Sequence, residues 1–241
     1  MLDGTSLEFD HRVQLRIVCT VLVLSVTAAH ARADVRGTLR LGVLPLELDA
    51  SSSTPFFGGD LDRAVTSYNT AAAAYNRAHG TSMAMIKTSD LSMSETLLTL
   101  TPGLEVGGET FFFRLEGELG TSSNLRELGL GIYPLNAQKR WGSDTSIYGS
   151  VGGFASFLSR SDTNAIGALV GGRIAGGVRF ARYMTVELGF TPIALGGVVD
   201  TDKINELEAM RTVPATLPTP SSVVSAGDTS GMVDVSVGVT F

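Results

Sequence analysis

The chain has 241 residues, 44% of them hydrophobic and 17% charged, with 28 glycines and a formal charge of -6. The mild acidity excludes a basic footprint for nucleic acid, and three histidines with one cysteine leave little material for a metal centre or a disulfide framework. That length suits one large domain or two small ones, so organisation along the chain has to decide.

Residues 1–33 read as a cleaved signal peptide. Arg12 and Arg16 precede the apolar run IVCTVLVLSVTAA, which leads to the small-residue site Ala31-Arg32-Ala33; this is the anatomy of an exported leader, too short and wrongly flanked for a spanning helix. Cys19 sits inside the run, so it leaves with the leader and residues 34–241 form a mature chain without cysteine. No later stretch approaches the roughly 20 consecutive apolar residues that a membrane helix requires. Barrel strands, however, give a far weaker signal than helices.

From Asp34 onward the dominant pattern is period two, the mark of a strand with two unlike faces. In VRGTLRLGV, Val35, Leu39, Leu41 and Val43 share a face opposite Arg36, Thr38 and Arg40. TLLTLTPGLEV sets Leu98, Leu100, Leu104 and Val106 against Thr99, Thr101 and Glu105. In ETFFFRLEGELG, Phe111, Phe113, Leu115 and Leu119 alternate with Phe112, Arg114, Glu116 and Glu118; a helix would scatter those charges, whereas a strand collects them on one side. RELGLGIYPL places Leu128, Leu130 and Ile132 away from Glu127 and Tyr133, and TSIYGSVGGFASFL places Ile147, Val151, Ala155 and Phe157 away from Tyr148, Ser150 and Ser156. In AIGALVGGRIAGGVRF the polar face holds Arg173 and Arg179, and in RYMTVELGFTPIAL it holds Thr185, Glu187 and Thr191. The eighth strand, GMVDVSVGVTF, alternates Val233, Val235, Val237, Val239 and Phe241 with Asp234, Ser236, Gly238 and Thr240.

Short connections, such as Gly107-Gly108 and Ala181-Arg182, fall at one end of these strands, and NAQKRWGSD forms a somewhat longer one there. Long insertions, about 49–95 and about 197–229, fall at the other. The first contains DLDRAVTSYNTAAAAYNRAHG, where Leu61, Val65, Tyr68, Ala72 and Tyr75 recur at helical spacing between a capping Asp60 and a terminating Gly80. The second, with Pro214, Pro218 and Pro220, reads as mobile coil apart from a helical turn or two at DKINELEAM. No linker divides the chain. The expectation is therefore an all-β, eight-stranded antiparallel up-and-down barrel with one helix in its first long loop.

Alternation fits either a soluble lipocalin-like carrier, with its apolar face inward, or a membrane barrel, with that face outward. The leader, the loop asymmetry, strands of about 10 to 12 residues and the terminal Phe241 favour the membrane barrel. In these features the chain resembles the small outer-membrane β-barrels of Gram-negative bacteria, of the outer-membrane-protein-A and outer-membrane-protein-X kind. The resemblance implies a transmembrane barrel in the bacterial outer membrane, in contact with its lipid. It also implies that Val233, Val235, Val237, Val239 and Phe241 form the signal read by the barrel assembly machinery. An inward charged face would then place Arg36, Arg40, Glu105, Arg114, Glu116, Glu118, Arg173, Arg179, Glu187 and Asp234 in the lumen, as a salt-bridge plug rather than an open pore.

The expected role is structural, or a binding role in which the long loops meet an extracellular ligand. No cofactor, metal or nucleic-acid partner is expected, and no enzymatic activity. The alternative of a lipid-modifying barrel enzyme would rest on His79, near Ser82 and Asp90. The pairs Gly152-Gly153, Gly171-Gly172 and Gly176-Gly177 lack the lysine and the helix of a phosphate loop, and are expected to relieve crowding in curved strands. Tyr133, Trp141, Tyr148 and Tyr183, near the short-turn end, suggest an aromatic girdle, with core packing as the alternative.

Overall fold

A computed structural model of the chain describes residues 35–51, 58–181, 183–209, 216–229 and 231–241. The leader, the side chain of Asp60, and Arg182 lie outside the described residues. Among the described residues nine strands and three helices follow in order: β1 (Val35–Leu48), α1 (Gly58–His79), β2 (Met93–Gly107), β3 (Phe111–Thr121), β4 (Leu125–Arg140), β5 (Ser146–Arg160), β6 (Ile166–Phe180), β7 (Met184–Val199), α2 (Thr201–Ala209), α3 (Pro220–Val223), β8 (Val224–Thr229) and β9 (Met232–Thr240). A single turn of 3-10 helix, Thr88–Leu91, precedes β2.

Strands β1 to β7 pair antiparallel, each with the next, and β9 closes the ring between β7 and β1. Met184↔Val239 to Thr191↔Met232 register one seam, and Thr38↔Thr240 to Val43↔Val235 the other. The sheet is thus a closed eight-stranded antiparallel up-and-down barrel, in which β9 covers the turn-end parts of the facing edges of β7 and β1. The connections 108–110, 141–145 and 181–183 lie at one end, the turn end, together with Val35 and Phe241; the two long insertions lie at the opposite end, the loop end, beside the short connections 122–124 and 161–165.

The period-two faces read from the sequence are the two faces of this wall, with apolar side chains outward and charged ones inward. Two strands change phase along their length. Between Ile132↔Gly153 and Leu135↔Val151, β4 spends one residue more than β5, and between Gly172↔Ile193 and Ile174↔Phe190, β7 spends one more than β6. Each is a β-bulge beside a proline, Pro134 and Pro192, at the kind of position where a residue without an N–H fits into a sheet. The first bulge carries β4 on to Arg140. Most of NAQKRWGSD, expected to be a connection, is therefore strand, with Asn136 and Gln138 turned inward. The Asn136 amide donates to the Phe112 carbonyl at 2.8 Å and to the Tyr133 carbonyl at 2.5 Å, occupying acceptors that the interrupted ladder leaves open.

The second insertion differs from expectation. Its last part is strand β8, which pairs with the loop-end half of β7 from Ala194↔Thr229 to Val199↔Val224. β8 and β9 thus follow one edge of β7 in succession, and the Asp49↔Asp228 bridge ties β8 to the end of β1. VSAGDT forms a ribbon rather than coil because the loop-end half of β7 offers an unpaired edge there, and an unpaired edge takes up extended chain.

Two apolar clusters lie on opposite faces of that ribbon. Inside the barrel at the loop end, Leu46, Leu48, Met93, Leu97, Leu125, Phe154, Leu158, Leu169 and Val198 pack into a plug. Beyond it, Leu61, Ala64, Tyr68, Ala71 and Ala72 of α1 pack with Ile204 and Leu207 of α2, and with Val199, Val224 and Ala226 of the ribbon. The two long insertions therefore form one cap. Gly80, at φ +64°, ends α1 in the left-handed conformation that glycine adopts without strain. Asn69 and Asn76 then hold the returning chain against the helix, each amide bonding both the N–H and the carbonyl of one residue, Ile86 and Met83 respectively.

Candidate functional site

Inward positions of the turn-end half converge on Glu187, which is fully buried. Its carboxylate accepts from Arg40 at 2.8 Å, from Arg114 at 2.6 Å and from the Tyr148 hydroxyl at 2.7 Å, and lies 3.1 Å from the Arg173 guanidinium. Arg40 and Arg114 also share Glu116. Arg173 is held by both oxygens of Asp234, and donates to the Tyr133 hydroxyl at 3.2 Å. Nearer the turns, Arg179 pairs with Glu105 at 2.5 Å and with the Gln138 amide oxygen at 3.1 Å.

Aromatic rings complete the network. The Arg114 guanidinium lies 4.5 Å from the Tyr133 ring centroid, and that of Arg179 lies 4.8 Å from Tyr148 and 5.4 Å from Phe112, within the range of cation–π attraction. Tyr133 and Tyr148, expected in a girdle, are thus lumen residues, because the alternation that turns Glu127 and Ser150 inward turns them inward too. Trp141 and Tyr183 do stand exposed at the turn end.

The glycine pairs explain how rings fit into so narrow a barrel. In each pair one glycine faces in and lies beneath a ring: Gly152 under Tyr133, Gly171 under Phe154, Gly177 under Tyr148. A Cβ at any of the three would overlap the ring. Their partners Gly153, Gly172 and Gly176 have only backbone within reach.

Of the ten expected lumen residues, Arg40, Glu105, Arg114, Glu116, Arg173, Arg179, Glu187 and Asp234 are buried in ion pairs. Arg36 is half-exposed at the turn end, where it lines the mouth with Arg140, Asp144 and Arg179. Glu118 lies farther up, half-buried, with the Ser156 hydroxyl at 3.5 Å. Sequence reasoning left out Glu127, Tyr133 and Tyr148, which shared the inward phase, and Gln138, which the bulge at Pro134 turns inward. It also missed the apolar plug, because Leu44, Leu46 and Leu48 lay beyond the strand limits it drew.

Val233, Val235, Val237, Val239 and Phe241 are all exposed on the outer wall. Phe241 bonds Gly37 in both directions, at 2.9 and 2.8 Å, and its ring covers that glycine, which fastens the chain end to β1. His79 is exposed at the end of α1 and stacks on Tyr75 with ring centroids 4.4 Å apart. The Asp90 carboxylate accepts instead from the Lys87 N–H at 2.8 Å. No protein-family model matches the chain, and neither does any curated protein.

Proposed function

We propose that the barrel spans a bacterial outer membrane, reached by export with cleavage of residues 1–33. Its role there is structural, or a binding role in which the cap meets a ligand outside the cell. The observation that carries this reading is the composition of the outer wall. Apart from Met83, Met85, Trp141, Tyr183 and Phe241, every exposed large apolar side chain among the described residues lies on a barrel strand. Charged side chains at outward positions of the eight barrel strands occur only near the rims, as Glu47 and Arg126 at the loop end and Lys139 at the turn end.

From Ile147 to Phe157 on β5 the apolar band runs about 33 Å along the strand, or ~25 Å in height at a tilt near 40°, which matches the apolar band of outer-membrane barrels. An arginine facing lipid at that depth costs roughly 2 to 4 kcal/mol, so enclosing Arg40, Arg114 and Arg173 is the favourable arrangement in such a medium. In water the same surface would expose an apolar patch far larger than the few hundred Å² usual for a monomer. A soluble carrier also needs a chamber of about 300 Å³ or more for an apolar ligand. The cavity between the ion-pair network and the apolar plug measures about 40 Å³.

Fractionation tests the reading, with gel migration in detergent before and after boiling. Protein in the membrane fraction, whose band shifts only on heating, supports it. Detergent-free protein in the soluble fraction, with a band indifferent to heat, contradicts it and favours the carrier.

A further inference from the structure

The outer wall is concave at the turn end of β4 and β5. Ala137 and Gly149 face each other across the two strands and form the floor of a groove. Lys139 opposite Ile147 is the next outward pair toward the rim, and Leu135 opposite Val151 the next toward the middle of the wall. Where a Gly149 Cβ would stand, the nearest atom is the Ala175 carbonyl oxygen at 3.9 Å, so the barrel itself does not fill the floor. Trp141, 72% exposed, closes the rim end. The groove measures about 590 Å³, within the range of ligand sites.

Its rim is cationic and short of one negative charge. Lys139 and Arg140 both line it, but Arg140 is matched by Glu109 at 2.7 Å, whereas Lys139 has no ion pair among the described residues. Gln138 and Tyr148, which also border the groove, turn their polar atoms into the lumen, to Arg179 and Glu187. Among the described residues Lys139 is the one cation at an outward strand position in the turn-end half, and it stands level with Ile147, where the apolar band of β5 begins. A lysine at that level lays its methylenes along apolar surface and carries its ammonium to the headgroup layer.

We propose that this groove binds one anionic phospholipid of the leaflet at the turn end, with an acyl chain over Ala137 and Gly149 and the phosphate paired with Lys139. The inference rests on the reading of the barrel as a membrane protein. A lipid with one net negative charge supplies what Lys139 lacks, whereas a zwitterionic lipid brings its own ammonium to the phosphate and has no charge left over. Trp141 offers an apolar face to the chain and an N–H donor to the phosphate or ester oxygens, the use to which indoles are put at membrane interfaces.

Trp141 is the one tryptophan of the chain, so its fluorescence reads the occupancy of this groove. The full chain is refolded into phosphatidylcholine bilayers in which brominated phosphatidylglycerol, or brominated phosphatidylcholine, replaces a rising fraction of the lipid, with the bromines near the headgroup end of the acyl chains. Quenching is expected to give phosphatidylglycerol an affinity about fivefold above that of phosphatidylcholine. Lys139→Gln brings that preference to nothing, and so does Gly149→Leu, which fills the floor and leaves the lysine in place. Arg126→Gln removes the outward cation of the loop-end rim and leaves the preference unchanged. The heat-dependent gel shift establishes that each barrel has folded into the bilayer, and Lys139→Gln, an exposed substitution, decides the matter even if Gly149→Leu does not insert. Equal affinities in a folded wild-type barrel, or a preference that survives Lys139→Gln, would overturn this inference and leave the membrane reading standing. A preference that survives Gly149→Leu would belong to surface charge alone and would overturn it too. A chain that stays out of the bilayer, its tryptophan reached by neither lipid, would overturn both.

Discussion

Glu187 accepts charge-assisted bonds from guanidinium groups on two different strands and a further bond from Tyr148 on a third. Such a hub is sensitive to the loss of any one partner, because the groups left behind stay buried and short of compensation. Arg114→Met removes a fully buried cation from between Glu116 and Glu187, and is expected to cost about 3 to 5 kcal/mol in a urea titration of the refolded barrel. The glycine pairs give a sharper contrast. Gly177→Ala drives a methyl into the Tyr148 ring, with an expected cost of about 1 to 3 kcal/mol, whereas Gly176→Ala meets no side chain and changes stability by less than ~0.5 kcal/mol. Alternation made the inward phase of Tyr133, Tyr148 and Glu127 legible. What it did not contain was depth along the barrel, so two aromatic residues near short turns resembled an interfacial girdle until the rings were placed over glycine.

Among the elements, the strands were legible where both faces had a consistent character, and were lost where the phase changed. After the bulge at Pro134, β4 carries Asn136 and Gln138 inward and Ala137 and Lys139 outward, an alternation with almost no hydrophobic contrast. α1 was legible from its 3.6-residue period and its terminating Gly80. β8 was not, because its six residues depend on an edge of β7 that no local pattern announces. Gly197 lies at φ +154° with Ala226 directly across the ribbon, where a Cβ would overlap it. Gly197→Val should therefore detach β8 and loosen the cap while the heat-dependent gel shift of the barrel persists. Limited proteolysis checks this through faster cleavage of residues 200–223.

In the cap, the Arg63 guanidinium reaches both oxygens of Glu208 at 2.7 and 2.6 Å, and that hydrogen-bonded pairing holds the Glu208 carboxyl below its ordinary value of 4.5. A carboxyl lowered by folding contributes above its unfolded value, and that contribution is lost as the pH falls through the lowered one. The Arg63–Glu208 pair is thus intact at neutral pH and released only in acid, while the apolar packing of α1 on α2 persists. Titration of Glu208 by NMR should give a midpoint below 4.5 that returns to the ordinary range in Arg63→Ala.

For the molecule as a whole, apolar outside and charged within describes the turn-end half. The loop-end half is apolar on both sides of its wall, with Leu46, Leu97, Leu125 and Leu169 filling the interior and a helical cap beyond the β7/β8 ribbon. A barrel closed by ion pairs at one level and by packed leucines at another is a solid pillar, which fits a structural or cap-mediated role better than conduction. The medium around the wall is the central claim, and tryptophan quenching in bilayers tests it most directly. In a Trp141→Phe background, Ile174→Trp places one indole at an outward position near the middle of β6. Lipids brominated near the centre of their acyl chains are predicted to quench it most strongly. An indole untouched by brominated lipid at any depth but quenched by aqueous iodide would contradict the account.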